Sequence, residues 1–298
     1  MPNWGVYLPT YGASAPIDVP GIRRLAARAE ERGLAHLFVG DHLIWNRAIL
    51  SPFLALAHVA AVTERIRLGT GVYLLPLRAP VLAAKDAATL DVLSGGRLIL
   101  GVGAGGDNPE EYRVAGVAPG NRGTRMDEGI AALRGLLNGE PSGFVGNYVE
   151  VPPTTLAPLP RRSVPIWLGG RSEAVVQRAA RVCDGWFPVW ISPERYATAR
   201  DQILGERKGN AVFDFGLNIF VAIADTRAEA RAIAAVHMEN AYAQPFERFE
   251  RYVAYGTPDD VRKELRPYVE VGVTDVVFNL TGPRPEHQLD LLTREVIC

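Results

Sequence analysis

Short apolar runs alternate with helix-like segments along almost the whole of this 298-residue chain. Most runs end in glycine, proline or polar residues and are followed by apolar residues spaced three or four apart. Alternation of this kind favours a parallel sheet covered by helices. The pattern predicts eight strands, over residues 5–9, 34–39, 66–74, 97–100, 164–168, 183–189, 215–223 and 273–279.

Nine helices are predicted between and after these strands, over residues 20–33, 54–63, 80–93, 124–137, 173–181, 193–204, 226–238, 258–269 and 286–296. Eight strand–helix units fit the roughly 250 residues of a (β/α)8 barrel. The predicted fold class is therefore α/β, with residues 1–298 forming one (β/α)8 TIM barrel domain. We expect an insertion between strands 4 and 5, with a hairpin near Tyr148, and further insertions in the loops of the C-terminal rim. A doubly wound sheet is the alternative fold.

Charge and cysteine content restrict the possible partners. Lys plus Arg total 32 and Asp plus Glu total 33, so bulk charge does not favour nucleic acid or a membrane surface. Cys183 and Cys298 are too few for a disulfide framework, and the five histidines lack metal-ligand spacing. Neither a signal peptide nor a membrane span is visible. We expect a cytoplasmic protein that binds a small molecule and no metal.

Residues 101–106 read GVGAGG and satisfy the dinucleotide pattern G-x-G-x-x-G. That pattern requires a helix whose N-terminus meets the pyrophosphate directly after the glycines. Here Asp107, Asn108 and Pro109 read as a turn that carries an acidic group, and residues 110–116 read as irregular chain. The sequence therefore disfavours a Rossmann turn. The glycines are expected to clear space for a planar ligand, or else only to permit tight packing.

Unusual residues collect at the C-terminal ends of four predicted strands. They are Asp41 and His42, and residues 69–71, 101–106 and 169–172. In a barrel these strand ends converge on one rim, where active sites of this fold are built. The sequence therefore predicts a site on this rim.

Several motifs, taken in order, resemble those of the bacterial luciferase-like monooxygenases and flavin- or deazaflavin-dependent oxidoreductases. They are AEERGL at 29–34, VGDH at 39–42, RIRLGTGV at 65–72, LDVLSGGR at 90–97, EEY at 110–112 and PIWLGG at 165–170. The resemblance implies a (β/α)8 barrel with an insertion, and coenzyme F420 or FMN as cofactor. It also implies a homodimer or a higher homo-oligomer.

The segment at 169–172 precedes a predicted helix and offers backbone N–H groups, a guanidinium and a hydroxyl to a phosphate. The resemblance gives this segment the same role, and the alternative is a plain glycine turn with Ser172 as helix cap. Relatives also carry a cis peptide at the place of Gly71 and Val72, behind the cofactor ring. The predicted cofactor-binding residues are Thr70, Gly71, Val72, Gly103, Ala104, Gly105, Gly169, Gly170, Arg171 and Ser172.

His42 is the predicted residue for proton transfer, because histidine is the side chain that changes charge nearest neutral pH. Asp41 precedes it in the same strand exit, and Trp45 is positioned to stack on a ring or shield it from water. His42, Asp41 and Trp45 form the predicted catalytic group. Deazaflavin-dependent dehydrogenases carry a similar His and Trp, at a spacing one residue longer.

The predicted activity is hydride transfer between F420 and a small organic substrate. F420 is preferred over FMN because of His42 and Trp45, and because Ala104 stands where light-emitting luciferases carry a phosphate-binding arginine. Gly106 stands where sugar-phosphate dehydrogenases of this group carry a glutamate, which argues against that substrate. One alternative is an FMN-dependent monooxygenase that uses reduced flavin and O2. The other is a non-catalytic member without cofactor.

Overall fold

The computed structural model describes residues 1–12, 17–106, 108–141, 143–209 and 211–297. Its strands are β1 (Asn3–Tyr7), β2 (His36–Val39), β3 (Arg67–Thr70), β4 (Tyr73–Leu74), β5 (Leu98–Gly103), β6 (Phe144–Val145), β7 (Glu150–Val151), β8 (Ile166–Gly169), β9 (Gly185–Phe187), β10 (Asp214–Ile223), β11 (Val253–Gly256) and β12 (Asp275–Leu280).

The helices are α1 (Val19–Glu31), α2 (Pro52–Ala60), α3 (Pro80–Ser94), α4 (Pro109–Val114), α5 (Arg122–Leu137), α6 (Glu173–Val182), α7 (Pro193–Glu206), α8 (Arg227–Tyr242), α9 (Pro258–Glu270) and α10 (Pro285–Leu291). In α1 the buried residues Ile22, Leu25, Ala26 and Ala29 recur at helical spacing and face the sheet. None of the helices in the described ranges is long and apolar enough to cross a lipid bilayer.

Eight parallel strands form a closed ring in the order β1, β2, β3, β5, β8, β9, β10 and β12. The ring closes because β12 pairs with β1, with Asp275 opposite Asn3, and β9 pairs with β10, with Gly185 opposite Asp214. These are the eight predicted strands, so the (β/α)8 barrel is confirmed. The doubly wound alternative is wrong, because an open sheet would leave two unpaired edges.

Two additions decorate the barrel. Between β5 and β8, strands β6 and β7 form the antiparallel hairpin expected near Tyr148. The Glu128 carboxylate holds its turn by accepting the backbone N–H groups of Asn147, Tyr148 and Val149 at 2.7–2.9 Å. The second addition is β11, which the sequence interpretation missed and which pairs with the end of β10.

The interpretation of residues 110–116 as irregular chain is wrong, since most of them form α4. Asn108 caps this helix by accepting the N–H of Glu110 at 3.1 Å, and Pro109 occupies its first position. These two residues are a helix-start signal that was interpreted as a turn. Asp107, the first residue of that predicted turn, lies outside the described residues.

The barrel interior is filled by a layer of large side chains, with Val72 packed against it. These are Tyr7, Phe38, Ile99, Trp167, Phe187 and Val277, all at most 8% exposed. Phe38 and Trp167 stack with their ring centroids 5.7 Å apart. A Cβ atom built on Gly103 would lie 2.2 Å from Val72 Cγ2, and one on Gly169 would lie 2.5 Å from Val72 Cγ1. These glycines therefore make room for Val72.

The expectation that the glycines after β5 clear space for a planar ligand is wrong at two positions. A Cβ atom on Gly101 would lie 1.9 Å from the carbonyl oxygen of Thr70, and the space beside Gly103 holds Val72. Both positions fit the simpler interpretation, in which glycine permits tight packing.

We expect Gly103→Ala to lower the free energy of unfolding by about 1–3 kcal/mol, because the added methyl group overlaps Val72. The matched control is Gly205→Ala in α7, where a Cβ atom would have no neighbour within 4 Å. There alanine should stabilise the helix by about 0.5–1 kcal/mol. Urea unfolding followed by circular dichroism measures both changes. Equal stability of Gly103→Ala and the parent protein would contradict the packing described for Val72.

Candidate functional site

The exit of β2 is fixed by the carboxylate of Asp41, which is only 4% exposed. Its two oxygens accept hydrogen bonds from Arg78 Nη1 and Nη2 at 2.5 and 2.7 Å, and from the backbone N–H of Leu74 at 2.9 Å. This bidentate pair joins the β2 exit to the segment after β4. Arg78 therefore has a structural role at this rim and does not serve surface solvation alone. Both carboxylate oxygens of Asp41 are engaged, which favours positioning over proton transfer.

His42 is oriented by Glu111, a fully buried residue of α4. His42 Nδ1 lies 3.1 Å from Glu111 Oε2, while Glu111 Oε1 accepts the backbone N–H of Leu43 at 2.6 Å. Because a carboxylate only accepts, Nδ1 carries the proton and Nε2 is left to face a ligand. Glu111 thus both holds the loop after β2 and orients the imidazole. The two residues lie 69 positions apart, so no local pattern links them.

Trp45 covers one face of the His42 ring. The two rings stack with centroids 4.0 Å apart and an interplanar angle of 19°. Indole Nε1 donates a hydrogen bond to the carbonyl oxygen of Ala241 at 3.0 Å, and Arg47 also bonds to Asn240. The loop after β2 is thereby tied to the C-terminal end of α8, and the imidazole is shielded from water on its Trp45 side.

The exit of β3 lies next to these residues, because β2 and β3 are paired. The Gly71–Val72 peptide is cis, as predicted. Thr70 is fully buried, and its hydroxyl donates to the carbonyl oxygen of Gly101 at 2.7 Å. Tyr7 Oη lies beneath, 2.9 Å from the position of a Cβ atom on Gly71, and burial raises the pKa of this phenol. Thr70, the Gly71–Val72 peptide and Tyr7 thus form an uncharged, closely packed floor of the candidate site.

The exit of β8 presents donors at the start of α6. Gly170 has φ +120°, a conformation suited to glycine, and its carbonyl oxygen accepts Trp186 Nε1 at 2.8 Å. Ser172 is the N-cap residue of α6, yet its hydroxyl makes no capping bond, and Arg171 beside it is exposed. A helix start also leaves backbone N–H groups without intrahelical partners.

The exit of β5 adds a second cation. Gly105 and Gly106 are exposed, with φ +65° and +122°. Arg122 Nη1 lies 2.6 Å from the position of a Cβ atom on Gly106, so a side chain there would displace the guanidinium. The carbonyl oxygen of Ala104 accepts the hydroxyl of Tyr112. The guanidiniums of Arg171 and Arg122, the Ser172 hydroxyl and the N-terminus of α6 are each of a kind that binds phosphate. By contrast, the described residues contain no group of three or more His, Cys, Asp or Glu placed to hold a metal ion.

Relatives of known sequence include an uncharacterized protein of Mycobacterium bovis, 41% identical over 141 residues, which are 47% of this chain and 48% of that protein. The chain thus spans about half the length of the curated relatives it matches at that identity. A putative coenzyme F420-dependent oxidoreductase of Mycobacterium tuberculosis is 31% identical over 255 residues, or 76% of this chain and 69% of that protein.

Solved structures share the fold over the whole chain. The monooxygenase RslO1 of Streptomyces bottropensis has a TM-score of 0.85 at 25% identity, with 100% and 99% of the two chains covered. An F420-dependent secondary alcohol dehydrogenase, solved with an F420-acetone adduct, has a TM-score of 0.88 at 18% identity over 100% and 99%. The oxygenating constituent of the type II Baeyer-Villiger enzyme 3,6-diketocamphane monooxygenase of Pseudomonas putida, solved with FMN, has a TM-score of 0.81 at 19% identity over 99% and 98%.

The family profile described as luciferase-like monooxygenase matches residues 5–275. That match runs from β1 to the first residue of β12, and so includes every rim segment described above. The closed barrel agrees with the match. The chain belongs to the luciferase-like monooxygenase family.

Proposed function

We propose that this protein is an oxidoreductase that moves a hydride between a flavin-type cofactor and a small organic substrate. The observation that carries the proposal is the His42–Glu111 pair, held beside the cis Gly71–Val72 peptide by the Trp45 stack. F420 or FMN supplies the redox chemistry when bound. The chain supplies orientation, exclusion of water and a proton-transfer group.

His42 Nε2 is the proposed proton-transfer atom. With the proton of the neutral ring held on Nδ1 by Glu111, Nε2 accepts a proton from a substrate hydroxyl during oxidation, and returns it to a carbonyl oxygen during reduction. The buried Glu111 carboxylate stabilises the imidazolium formed in between. Trp45 limits proton exchange with water, and Asp41 positions the loop that carries His42.

The proposed cofactor site spans three strand exits. Gly169, Gly170, Arg171 and Ser172 would bind the phosphate, and Arg122 beside Gly106 offers a further cation for it. Thr70, Gly71, Val72, Gly103, Ala104 and Gly105, at the β3 and β5 exits, would hold the ring, and the buried Thr70 and Gly103 would only support the residues that contact it. This arrangement is supported by the Ser172 hydroxyl, which makes no capping bond at the start of α6, and by the exposed Arg171.

F420 is preferred over FMN. The names of the Mycobacterium tuberculosis relative and of the alcohol dehydrogenase support F420, as does Ala104 in place of an arginine. The FMN complex of the Pseudomonas putida enzyme supports the alternative, an FMN-dependent monooxygenase that consumes O2. Assembly as a homodimer or higher homo-oligomer and a cytoplasmic location stay predictions.

Titration of the purified apoprotein with each cofactor, followed by cofactor fluorescence, tests the preference. We expect F420 to bind more tightly than FMN. Submicromolar binding of FMN without binding of F420 would overturn the preference and favour the monooxygenase. If neither binds, the non-catalytic alternative is favoured.

Arg171→Met should weaken cofactor binding about 3- to 10-fold, because an exposed charge-assisted hydrogen bond to phosphate is partly screened by water. The matched control is Arg181→Met, in the last turn of the helix that follows Arg171 and likewise exposed. The difference between the two variants should shrink at 1 M salt. Equal dissociation constants for both variants at low salt would remove Arg171 from the phosphate site.

His42→Gln should lower kcat/KM by about 10²- to 10⁴-fold, the usual contribution of a general acid or base. Glu111→Gln should lower it less and shift the pH–rate profile, because the imidazolium loses its counter-charge. Glu110→Gln is the control, since that exposed carboxylate pairs only with Arg113 in the described structure. Identical pH profiles for Glu111→Gln and Glu110→Gln would argue against the pair.

A further inference from the structure

Aromatic rings contact one another in sequence around one side of the rim. This aromatic arc starts at His42 and runs through Trp45, Tyr242, Trp190, Phe220 and His237 to Tyr11. Successive ring centroids are 4.0–6.3 Å apart, within or close to the range of favourable aromatic pairs. The side chains that join its two ends, those of Trp45, Tyr242, Trp190 and Phe220, are uncharged and largely apolar, and Phe220 among them is buried.

The backbone conformation of Trp190, in the middle of the arc, is constrained by its surroundings. It has φ +56°, a left-handed conformation that is rare for a bulky side chain. Its indole stacks on Phe220 with centroids 4.8 Å apart and an interplanar angle of 5°. Backbone outliers of this kind concentrate at ligand-binding sites, where the surroundings enforce them. Trp190 is only partly buried, so part of its surface remains at the rim.

At the other end of the arc, His237 determines which way the hydrogen bond between its ring and the Tyr11 hydroxyl runs. The backbone N–H of Gly282 can only donate, and it points at His237 Nδ1 from 3.3 Å. The imidazole proton is therefore on Nε2, which lies 2.8 Å from Tyr11 Oη and donates to it. The Tyr11 hydroxyl then has its own proton left to donate. Across the residues that the structure describes, no second partner receives that proton.

Both members of this pair are neutral at physiological pH. Burial lowers the pKa of His237 to about 4. Burial also raises the pKa of Tyr11 above its usual range. The phenol is therefore a hydrogen-bond donor and not a phenolate.

The two polar ends of the arc lie on neighbouring strands. Tyr11 follows β1 and His42 follows β2, and these strands are paired. The loop that leaves His42 returns to Tyr11, because Gly12 N–H bonds to the carbonyl oxygen of Ala48 and Leu50 N–H to that of Thr10. Trp45 in this loop connects the ends through the aromatic rings.

We propose that Tyr11, oriented by His237, donates a hydrogen bond to the substrate, in addition to the contact that His42 makes with it. The aromatic arc then selects a neutral substrate in which an aromatic or alicyclic body carries one carbonyl or hydroxyl oxygen. The inference rests on the proposed function, since it describes the substrate of that same site. Tyr11 acts as a positioning residue, while His42 transfers the proton. The uncharged rings of the arc themselves offer no charge to an anionic sugar phosphate.

The test compares Tyr11→Phe with the parent protein in the cofactor-loaded state, and uses two probes of the same skeleton. Acetophenone carries a carbonyl oxygen, and ethylbenzene lacks it. Quenching of tryptophan fluorescence gives both dissociation constants. We expect Tyr11→Phe to weaken acetophenone binding about 3- to 10-fold, the range for one hydrogen bond, and to leave ethylbenzene unchanged. Tyr148→Phe, a half-exposed tyrosine on the β6–β7 hairpin, is the matched control and should change neither.

A spectroscopic readout tests the orientation of Tyr11 independently of substrate. The ¹⁵N shifts of His237 should report a protonated Nε2, and Tyr11→Phe should shift that nitrogen while Tyr148→Phe does not. A proton on Nδ1 would overturn the argument. So would equal acetophenone affinity in Tyr11→Phe and the parent protein, or tighter binding of glucose 6-phosphate than of acetophenone.

The cofactor titration distinguishes this failure from failure of the proposed function. If F420 or FMN binds but the dissociation constant of acetophenone is the same in Tyr11→Phe and the parent protein, the role proposed for Tyr11 is wrong and the oxidoreductase proposal stands. If neither cofactor binds, the proposed function fails, and with it the assignment of the arc as a substrate surface.

Discussion

Buried carboxylates that accept backbone N–H groups hold the irregular parts of this barrel in place. Glu111 binds the turn after β2, Asp41 binds Leu74, and Glu128 binds the turn of the β6–β7 hairpin. At the opposite end of the barrel, the partly buried Glu30 accepts the N–H groups of residues 64–66. Loop amides that leave water need such partners. Glu111, Glu128 and Glu30 each accept more than one backbone N–H, whereas Asp41 accepts one and pairs with Arg78.

The spacing of apolar residues along the sequence predicted the barrel well, because this spacing has a different period in strands and in helices. The eight barrel strands and the helices that cover them follow apolar spacing, and the strand exits carry the unusual residues. The pattern failed where structure depends on distant partners. The acid that orients His42 lies 69 residues away, and Arg78 had no visible reason to meet Asp41. Short elements such as α4 and β11 also lack enough length for a period to show.

Glycine was the least reliable guide to the candidate site. The run after β5 looked like one motif, but its members have different neighbours. Gly101 and Gly103 accommodate Thr70 and Val72, whereas Gly105 and Gly106 are exposed at the rim, with Arg122 beside Gly106. A glycine in the sequence shows that another group can lie close to the backbone at that position. It does not show which group this is. The same fold binds F420 in the secondary alcohol dehydrogenase and FMN in the Pseudomonas putida monooxygenase. The choice of cofactor therefore depends on side chains and not on the barrel.

The bonds between the loop after β2 and α8 end on main-chain acceptors. Trp45 and Arg47 both donate to main-chain carbonyl oxygens, those of Ala241 and Asn240. Substitution of side chains along α8 leaves these acceptors in place. In the proposed site, a side chain of α8 that does not contact Trp45, such as His237, can therefore be exchanged without removing the acceptor that holds the stack of Trp45 on His42. The proposed substrate surface can thus vary separately from the proposed proton-transfer geometry.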